Sequence, residues 1–390
     1  MIDLQLVALS SEIAREVRNQ KHPVRDNSTH IEAGLAWLCR AQDLSGDFGV
    51  SAWYSLINGW QPSYIETTGY IINTFLDAAE LYPRLKLEKR AIQMADFLIR
   101  MQHPLGGYRT AVPSRSIESV PTVFNTGQDL LGMTAAYSHT KKEKYRLSAI
   151  KAADFLLSIQ ESDGSWLQYT YGNMKHTYHT RVAWGLLKVW EITSEKKYKK
   201  AAIKNLEWAA KQQLANGWFK QNQLPSPNPD VPYTHTISYA IEGFLWSGLI
   251  LGEKKYIEIA KRAALPLAHY FLRHQFMPGT FSQSWKSTNS YTCLTGDAQL
   301  SLMWLELFAY DHNFDFLKAA LSMNQYLKSF HPTESDYDPN RRGALPGSFP
   351  IYGDLLHNQG YCRLAFLNWS TKFFIDALLC EGKLTQKESV

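Results

Sequence analysis

The chain has 390 residues, of which 45% are hydrophobic and 20% charged, and its formal net charge is +5. These proportions are ordinary for a globular protein with a sizeable core and exclude extensive disorder. The positive charge is spread along the chain without a basic stripe or a known nucleic-acid-binding module, so we expect no nucleic-acid partner. No segment reaches 18 consecutive apolar residues, which predicts a cytoplasmic protein without membrane insertion.

The N-terminal segment precedes the repeating part of the chain. Residues 1–19 carry acidic side chains on a helical pattern and lack the basic and apolar regions of a signal peptide. No segment after residue 28 has the composition of a linker. We therefore predict one domain over residues 1–390, with residues 1–27 as an N-terminal helical extension.

Two kinds of helical pattern alternate along the rest of the chain. The first kind has its apolar residues on one stripe, which is typical of an outer layer. It ends each time in glutamine, at Gln42, Gln102, Gln160, Gln213 and Gln275. The second kind is apolar nearly all round and opens each time with threonine, at Thr68, Thr126, Thr180, Thr236 and Thr295. The threonines recur every 54 to 59 residues, which predicts two-helix repeats.

A sixth unit completes the chain. It has a helical pattern over residues 315–329 and another from Trp369, but we find no threonine or glutamine at the corresponding places. Repeated two-helix units must stack to bury their apolar faces. The sequence therefore predicts an all-α fold, an (α/α)6 toroid of six helical hairpins. An open superhelix is the alternative, but the nearly all-apolar second helices favour a closed inner ring.

The two kinds of connection differ in length, and this predicts where a site lies. About 20 to 26 residues separate each glutamine from the next threonine, whereas the other links are short. Loops this long are usually functional when they are not disordered. We interpret the threonines as helix N-caps, since their hydroxyl accepts an unpaired helical N–H. Several helix N-termini would then face one bowl and favour an anionic ligand.

The residues beside the threonines differ between units, and these are the candidates for catalysis. Glu66 precedes an inner helix and has a carboxyl group suited to acid or base chemistry. His179 and His235 both stand one residue before a threonine, in adjacent units, and Tyr178 and Tyr233 lie at a similar level. Histidine and tyrosine in one bowl suit proton transfer. The alternative is structural: a surface glutamate at a helix N-terminus, and histidines at the edge of the core.

Further residues are candidates for substrate binding. Arg181 is placed to neutralise a carboxylate by a bidentate contact. Asp297 is also explained as an acidic residue in the first turn of a helix. Trp53 and Trp166 are further loop tryptophans that could stack on a sugar, and Trp166 is alternatively explained as an anchor between a helix end and its loop. The other binding candidates are Asn125, Gln128, Trp60, Trp218, Trp285 and Tyr291.

No cofactor is predicted. Cys293 and Asp297 have a spacing that places both on one helix face, but no third metal ligand is evident. The four cysteines have no C-x-x-C spacing, and we interpret them as buried free thiols. The phosphate-binding and dinucleotide-binding glycine motifs are missing as well.

Several segments resemble known families. Residues 160–166, Gln-Glu-Ser-Asp-Gly-Ser-Trp, resemble the Q-x-x-D-G-x-W signature of the prenyltransferase and squalene-cyclase repeat, whose members are helical toroids. Residues 50–56, 59–70, 124–128, 179–184 and 346–351 look like an uncharacterised subgroup of toroid proteins found with bacterial polysaccharide genes. The D-x-D-D acid motif of terpenoid cyclases and the zinc ligands of protein prenyltransferases are not evident.

The predicted toroid is also similar to the folds of unsaturated glucuronyl hydrolases, α/α polysaccharide lyases and acylglucosamine epimerases. The resemblance implies acid, tyrosine and histidine chemistry in the bowl. We therefore predict a carbohydrate-active enzyme of polysaccharide metabolism that acts on a uronate-containing glycan or sugar as a lyase or hydrolase. The alternatives are a non-catalytic glycan-binding or assembly protein of a polysaccharide locus, a sugar epimerase, or an isoprenoid cyclase-like enzyme.

Overall fold

The computed structural model describes residues 4–18, 20–112, 119–224 and 231–387, so the two ends of the predicted domain lie outside the described residues. An N-terminal helix, α1 (Leu4–Val17), precedes the repeats. Six outer helices follow in the described residues: α2 (Asn27–Ser45), α4 (Leu87–Met101), α6 (Glu143–Ser158), α8 (Lys196–Ala210), α10 (Lys254–His274) and α12 (Phe314–Lys328). The six inner helices are α3 (Ile65–Ala78), α5 (Val123–Thr140), α7 (Thr180–Thr193), α9 (Thr234–Leu251), α11 (Leu294–Asp311) and α13 (Asn368–Lys387).

The helices form a closed double ring. Each inner helix contacts the next, and α13 contacts both α11 and α3, which closes the inner ring. Each outer helix packs mainly against the inner helix that precedes it in the chain, and α2 packs against the last inner helix, α13. The predicted all-α (α/α)6 toroid is therefore confirmed. No helix in the described ranges is long and apolar enough to cross a membrane.

Glycines bring neighbouring inner helices close together. A Cβ atom on Gly132 of α5 would lie 2.1 Å from the carbonyl oxygen of Gly69 on α3. On α7, a Cβ atom on Gly185 would lie 2.6 Å from the carbonyl oxygen of Gly127. Any larger residue at these positions would push the helices apart, so these glycines set the diameter of the inner ring.

The repeated glutamines join each unit to the next. Gln102 donates from Nε2 to the carbonyl oxygen of Gly106 in the following turn, at 2.7 Å, and to that of Ser148 on the next outer helix, at 2.9 Å. Gly106 has a φ of +102°, and a Cβ atom there would meet the Lys151 carbonyl oxygen. Gln275 departs from the pattern: its Nε2 bonds within its own helix, and its Oε1 accepts the Ser322 hydroxyl of α12 at 3.2 Å. The corresponding pairs of bonds are made by Gln42, Gln160 and Gln213.

The prediction that the threonines cap the inner helices is wrong. Thr68 lies in the first turn of α3, where its hydroxyl donates to the Tyr64 carbonyl at 2.7 Å and accepts the Val50 N–H at 3.0 Å. Thr126 makes the same two kinds of bond in the next hairpin. The cap positions hold Tyr64, Thr122, His179, Tyr233 and Cys293, whose side chains make no capping bond. These two threonines instead tie the preceding loop to the inner helix.

The sixth unit does carry the threonine that the sequence analysis missed. Thr371 donates to the Leu367 carbonyl and accepts the Leu345 N–H, both at 2.9 Å, as Thr68 does with its own partners. The chain between α12 and α13 is longer than the other connections, so this threonine falls outside the regular interval. This connection also contributes two strands to a small four-stranded sheet.

That sheet and a second strand pair lie in the connections that lead into inner helices. The strands are β1 (Trp53–Ser55), β2 (Gly59–Trp60), β3 (Thr292–Cys293), β4 (Leu345–Pro346), β5 (Ser348–Phe349) and β6 (Ala365–Leu367). β1 pairs antiparallel with β6, with Tyr54 opposite Phe366. The first long connection is thus joined to the last one at the end of the toroid where the inner helices begin.

Buried histidines connect the start of the toroid to its last connection. His30 accepts the Arg25 N–H at Nε2, so its Nδ1 carries the proton and donates to Nδ1 of His331 at 2.9 Å. His331 in turn donates from Nε2 to the Gly343 carbonyl at 2.9 Å. This arrangement requires both rings to be neutral, and burial lowers the pKa of each.

Acid should weaken this junction through His22, which bonds to Glu334 at 2.9 Å. Burial lowers the pKa of His22 from 6.5 to about 4. The unfolded chain takes up the proton first, so the free energy of unfolding falls as the pH drops from 6.5 to 4, by about 3 kcal/mol at ~1.4 kcal/mol per pKa unit. On acidification, His22→Gln should lose less stability than the wild type, and the difference should equal this amount. The measurement is urea unfolding of both proteins at pH 7 and at pH 4.

The exposed His312, whose ring makes no ion pair within the described residues, provides a control. The acid response of His312→Gln should match that of the wild type. An equal acid response of His22→Gln and wild type would contradict the assignment.

Candidate active site

A cavity of about 730 Å³ opens at the end of the toroid where the inner helices begin. Its wall is mainly aromatic and uncharged, but includes Glu66 and His235. No lysine or arginine lines it among the residues that the structure describes. Its aromatic residues are Trp53, Tyr64, Tyr70, Phe124, Tyr171, Tyr178, Tyr239, Tyr361 and Trp369. We call this cavity the bowl.

Glu66, in the first turn of α3, is the carboxyl group of the bowl. It is 6% exposed, and its Oε2 accepts the Tyr64 hydroxyl at 2.8 Å. Tyr171 lies 3.3 Å from Tyr64, hydroxyl to hydroxyl, and donates to Oδ1 of Asn125 at 2.8 Å. Burial raises the pKa of Glu66 to about 7, although the Tyr64 hydrogen bond and the charge of Arg181 lower it. Glu66 therefore exchanges its proton near neutral pH, as suits an acid or base.

His235, the second residue of α9, is the histidine of the bowl. Its Nδ1 lies 2.6 Å from Oε1 of Gln299, which leaves Nε2 as the ring nitrogen that faces the cavity. Burial lowers the pKa of His235 to about 3, and the nearby Arg181 charge acts in the same direction. The ring is therefore neutral over the ordinary pH range, and Nε2 can accept a proton.

Two phenols in the bowl are available to a ligand. The hydroxyl oxygen of Tyr178 is buried and unpaired, and the buried hydroxyl of Tyr239 makes no hydrogen bond of good geometry, although it interacts with the Tyr70 hydroxyl. The Tyr239 ring lies 4.2 Å from the His235 ring, one helical turn further along α9. Burial raises the pKa of both tyrosines well above its ordinary value, so both keep their protons. Buried polar groups are normally paired, so these hydroxyls are suited to a polar ligand.

Arg181 forms the floor beneath the bowl and does not line it. Its Nη1 pairs with Glu242, and its Nε donates to Oε1 of Gln128 at 2.6 Å. Both charged side chains are at most 2% exposed. The Arg181 charge is thus already neutralised, and the residue contacts a separate cavity of about 280 Å³ at the opposite end of the inner ring. The sequence predicts that Arg181 contacts a substrate carboxylate, but the carboxylate of Glu242 occupies its guanidinium instead.

Other predicted site residues lie behind the wall. His179 is 1% exposed, packs against Trp166, and has no partner at either ring nitrogen. Asp297 is fully buried and accepts the Thr292 hydroxyl. Tyr291 is 1% exposed and is likewise not part of the lining, while Tyr233 packs against the lining residue Tyr361. The structure therefore brings Glu66, His235 and Tyr178 together and leaves His179, Tyr233, Tyr291 and Asp297 outside.

The predicted tryptophans occupy other places. Trp60 bonds to Asn340 and packs on Trp37, Trp285 bonds to the Asn216 carbonyl, and Trp218 is 6% exposed. None of the three lines the bowl, whereas Trp53, which was also a stacking candidate, does line it, together with Trp369. Trp166 is fully buried and bonds to the Leu156 carbonyl, which confirms the anchor interpretation.

Cys362 corrects the prediction that all four thiols are buried. It is exposed and lines the bowl, whereas Cys39 and Cys293 are buried and Cys380 is intermediate. All four are free thiols. Within the described part of the chain, no group of three or more histidine, cysteine, aspartate or glutamate residues is arranged to hold a metal ion.

Sequence reasoning missed several residues of the site. Tyr239 stands four residues after His235 on the same helix face, which was an available signal. Glu242 is a lone charge in a nearly apolar helix, and such a residue requires a buried partner. Tyr171 and Tyr361 come from long connections and carried no periodic signal. Tyr361 reaches the bowl because its loop folds back through the β4–β6 region.

Asp129 is a buried carboxyl group behind Glu66. Neither of its oxygens has a hydrogen-bond partner, and it packs against Gly69. Burial raises the pKa of Asp129 well above 3.8, and the charge of Glu66 acts in the same direction. The folded protein holds this proton at neutral pH, whereas the unfolded chain releases it.

We therefore expect the stability contributed by Asp129 to decrease as the pH rises from 4 to 7. Because the folded pKa is raised, the contribution is fully present only below the unfolded value. Asparagine has no proton to lose at this position. The free energy of unfolding of Asp129→Asn, relative to that of the wild type, should therefore increase steadily as the pH rises, as measured by chemical unfolding. Asp336→Asn, at an exposed position, should differ from the wild type by the same free energy of unfolding at every pH. A constant difference for Asp129→Asn as well would contradict the argument.

Similar solved structures share this fold at low sequence identity. An unsaturated glucuronyl hydrolase specific for heparin has a TM-score of 0.71 at 15% identity, with 92% of this chain and 98% of that chain covered. A sugar epimerase from a ruminal bacterium has 0.72 at 9% identity, with 91% and 98% covered. The GH76 α-mannanase of Bacteroides thetaiotaomicron has 0.65 at 16% identity, with 93% and 98% covered. These similarities show the toroid fold.

The sequence itself identifies the family. No curated protein matches the chain. The family model described as the ulvan lyase N-terminal domain matches residues 126–332, from α5 to the end of the outer helix α12 and the residues just after it. This match covers just over half of the chain and includes His235, Tyr239, Glu242 and Gln299. The chain therefore belongs to the ulvan lyase N-terminal domain family.

Proposed function

We propose that this protein is a lyase that cleaves uronate-containing polysaccharides by β-elimination in the bowl. The observation that carries the proposal is the neutral His235, with Nε2 open to the same cavity as the buried carboxyl group of Glu66. The family to which the chain belongs is named for a lyase, which supports β-elimination as the reaction class. The toroid fold is also that of enzymes named for uronate and other sugar substrates.

In β-elimination, a base removes the proton at C5 of the uronate, next to its carboxylate. The C4–O bond breaks, a C4–C5 double bond forms, and the leaving oxygen takes up a proton. We assign proton removal to Nε2 of His235. Although the pKa of His235 is low in the empty bowl, a bound anion raises it by favouring the charged ring. Tyr239, which lies beside His235 and keeps its proton, is the donor to the leaving oxygen.

The reaction also requires stabilisation of the negative charge that develops on the uronate carboxylate. Arg181 lies beneath the bowl and is paired with Glu242, and no lysine or arginine lines the described wall of the bowl. We assign this role to the protonated form of Glu66, which donates a hydrogen bond to the carboxylate. The first turns of α3, α9 and α13 contribute to the wall, and their N-termini favour an anion.

A second candidate is hydrolysis of an unsaturated uronyl residue, initiated by proton transfer to its double bond. The raised pKa of Glu66 favours this candidate, since a carboxylic acid that is half protonated near pH 7 is a suitable donor. The solved glucuronyl hydrolases share the toroid, which supports no more than the fold. In this mechanism Glu66 transfers its proton, whereas in the lyase it keeps it.

The remaining alternatives have less support. An isoprenoid cyclase needs a bowl lined by apolar rings and a strong acid, and six tyrosines line this one. A glycan-binding protein without activity would not require a neutral histidine held by a buried glutamine. Epimerisation also begins with proton removal or oxidation, and it is distinguished by its product.

One assay separates the candidates. The purified protein is incubated with a panel of uronate polymers and, separately, with their unsaturated oligosaccharides, and the ultraviolet absorbance of the C4–C5 double bond is followed. A lyase increases the absorbance on polymers, and an unsaturated glucuronyl hydrolase decreases it on the oligosaccharides. No change in either arm, with glycan binding by calorimetry, would overturn the proposal in favour of a binding protein.

A further inference from the structure

A chain of buried polar side chains crosses the floor of the bowl. It runs from Gln128 on α5 to Arg181 on α7, Glu242 on α9 and Gln299 on α11, and it ends at His235 on α9. All five residues are at most 4% exposed. Polar groups this deep are costly unless every contact matches a donor with an acceptor. The order of donors and acceptors along the chain is therefore informative.

The order starts from the charged pair. Arg181 can only donate, and it neutralises Glu242, which as a carboxylate can only accept. Gln299 therefore turns its amide nitrogen towards Glu242, and Nε2 lies 3.0 Å from Oε2 of the carboxylate. Its amide oxygen is left to face His235, where Oε1 lies 2.6 Å from Nδ1. An oxygen can only accept, so Nδ1 of His235 carries the proton.

We infer that Gln299 is a positioning residue, which holds His235 in the tautomer whose unprotonated Nε2 faces the bowl. The Arg181–Glu242 pair fixes the orientation of the Gln299 amide, and the amide fixes the ring. In the other tautomer, the lone pair of Nδ1 would face the lone pairs of Oε1 at 2.6 Å, which is repulsive. The role of Gln299 rests on the proposed function of His235 as the base, but the tautomer itself does not.

The tautomer is measured directly by nitrogen NMR of the wild-type protein labelled at the histidine rings, with His235 assigned by comparison with His235→Gln. The expected result near pH 7 is a protonated Nδ1 and an unprotonated Nε2. A proton on Nε2 in the wild type would overturn the inference. This measurement needs no substrate and no variant of Gln299.

Gln299→Met tests the cause, because methionine has a similar length but no amide to accept the Nδ1 proton. We expect the His235 ring to shift to a mixture of tautomers, and kcat to fall roughly 10- to 100-fold, the range known for outer partners of functional histidines. KM should change little, since Gln299 does not line the bowl. Gln128→Met is the matched control, since it changes the same chain at its far end, and the His235 tautomer should stay as in the wild type.

An unchanged tautomer in folded Gln299→Met would overturn the inference, as would an equal tautomer change in both variants. If the predicted tautomer is observed but no glycan is turned over, the proposed function fails and the positioning of His235 by Gln299 stands. If the glycan is turned over but Nε2 carries the proton, the inference fails and the lyase proposal requires another base.

Discussion

Replacing His235 with glutamine is expected to lower kcat/KM on a uronate polymer by roughly 10²- to 10⁴-fold, the usual contribution of a general base. Glutamine has no nitrogen that can accept the C5 proton. Most of the loss should appear in kcat, because the aromatic wall and Glu66 remain to bind the sugar. The measurement is the initial rate of double-bond absorbance across a range of polymer concentrations.

His179 provides the most instructive comparison, because it stands at the same repeat position one unit earlier. It is buried behind the wall of the bowl and contacts Trp166 and Phe124. His179→Gln should therefore affect the melting temperature more than the rate of the folded enzyme, whereas His235→Gln should do the reverse. If His179→Gln loses turnover and His235→Gln retains it, the assignment of the base is wrong.

The fold could be predicted from the sequence because the same pattern of apolar residues recurs in each two-helix unit. Each outer helix carries one apolar stripe and each inner helix is apolar nearly all round, so only stacking buries both. The recurring two-helix pattern indicated the number of hairpins, and the long connections before the threonines indicated the end of the toroid where the bowl lies. What the threonine hydroxyls do was not predictable, because their partner N–H groups, such as that of Val50, belong to loops without periodicity.

The candidate site was predicted only in part, for a related reason. Glu66 and His235 were found because they stand beside a repeat position. Arg181 was found too, but its partner Glu242 lies 61 residues away, and spacing alone does not show that a charge is already neutralised. Tyr171 and Tyr361 enter the bowl from long connections, whose paths depend on tertiary contacts.

Replacing Glu66 with glutamine should separate the lyase from the hydrolase. In the lyase, the neutral carboxylic acid donates a hydrogen bond and keeps its proton, and the amide of glutamine can do the same. Because burial raises the pKa of Glu66 to about 7, wild-type activity should fall as the pH rises above 7 and the carboxyl group ionises. Glu66→Gln should retain part of the activity and lose this alkaline decrease, as measured by kcat/KM between pH 5 and 9.

A loss of roughly 10²-fold or more at every pH in Glu66→Gln would instead mean that Glu66 transfers its proton, which favours the hydrolase. Tyr64→Phe supplies the matched control, because the Tyr64 hydroxyl stabilises the ionised form of Glu66 and so lowers its pKa. Without that hydroxyl the pKa of Glu66 rises, so the alkaline decrease should move to higher pH. A midpoint that stays in place or moves to lower pH would show that the decrease reports another group.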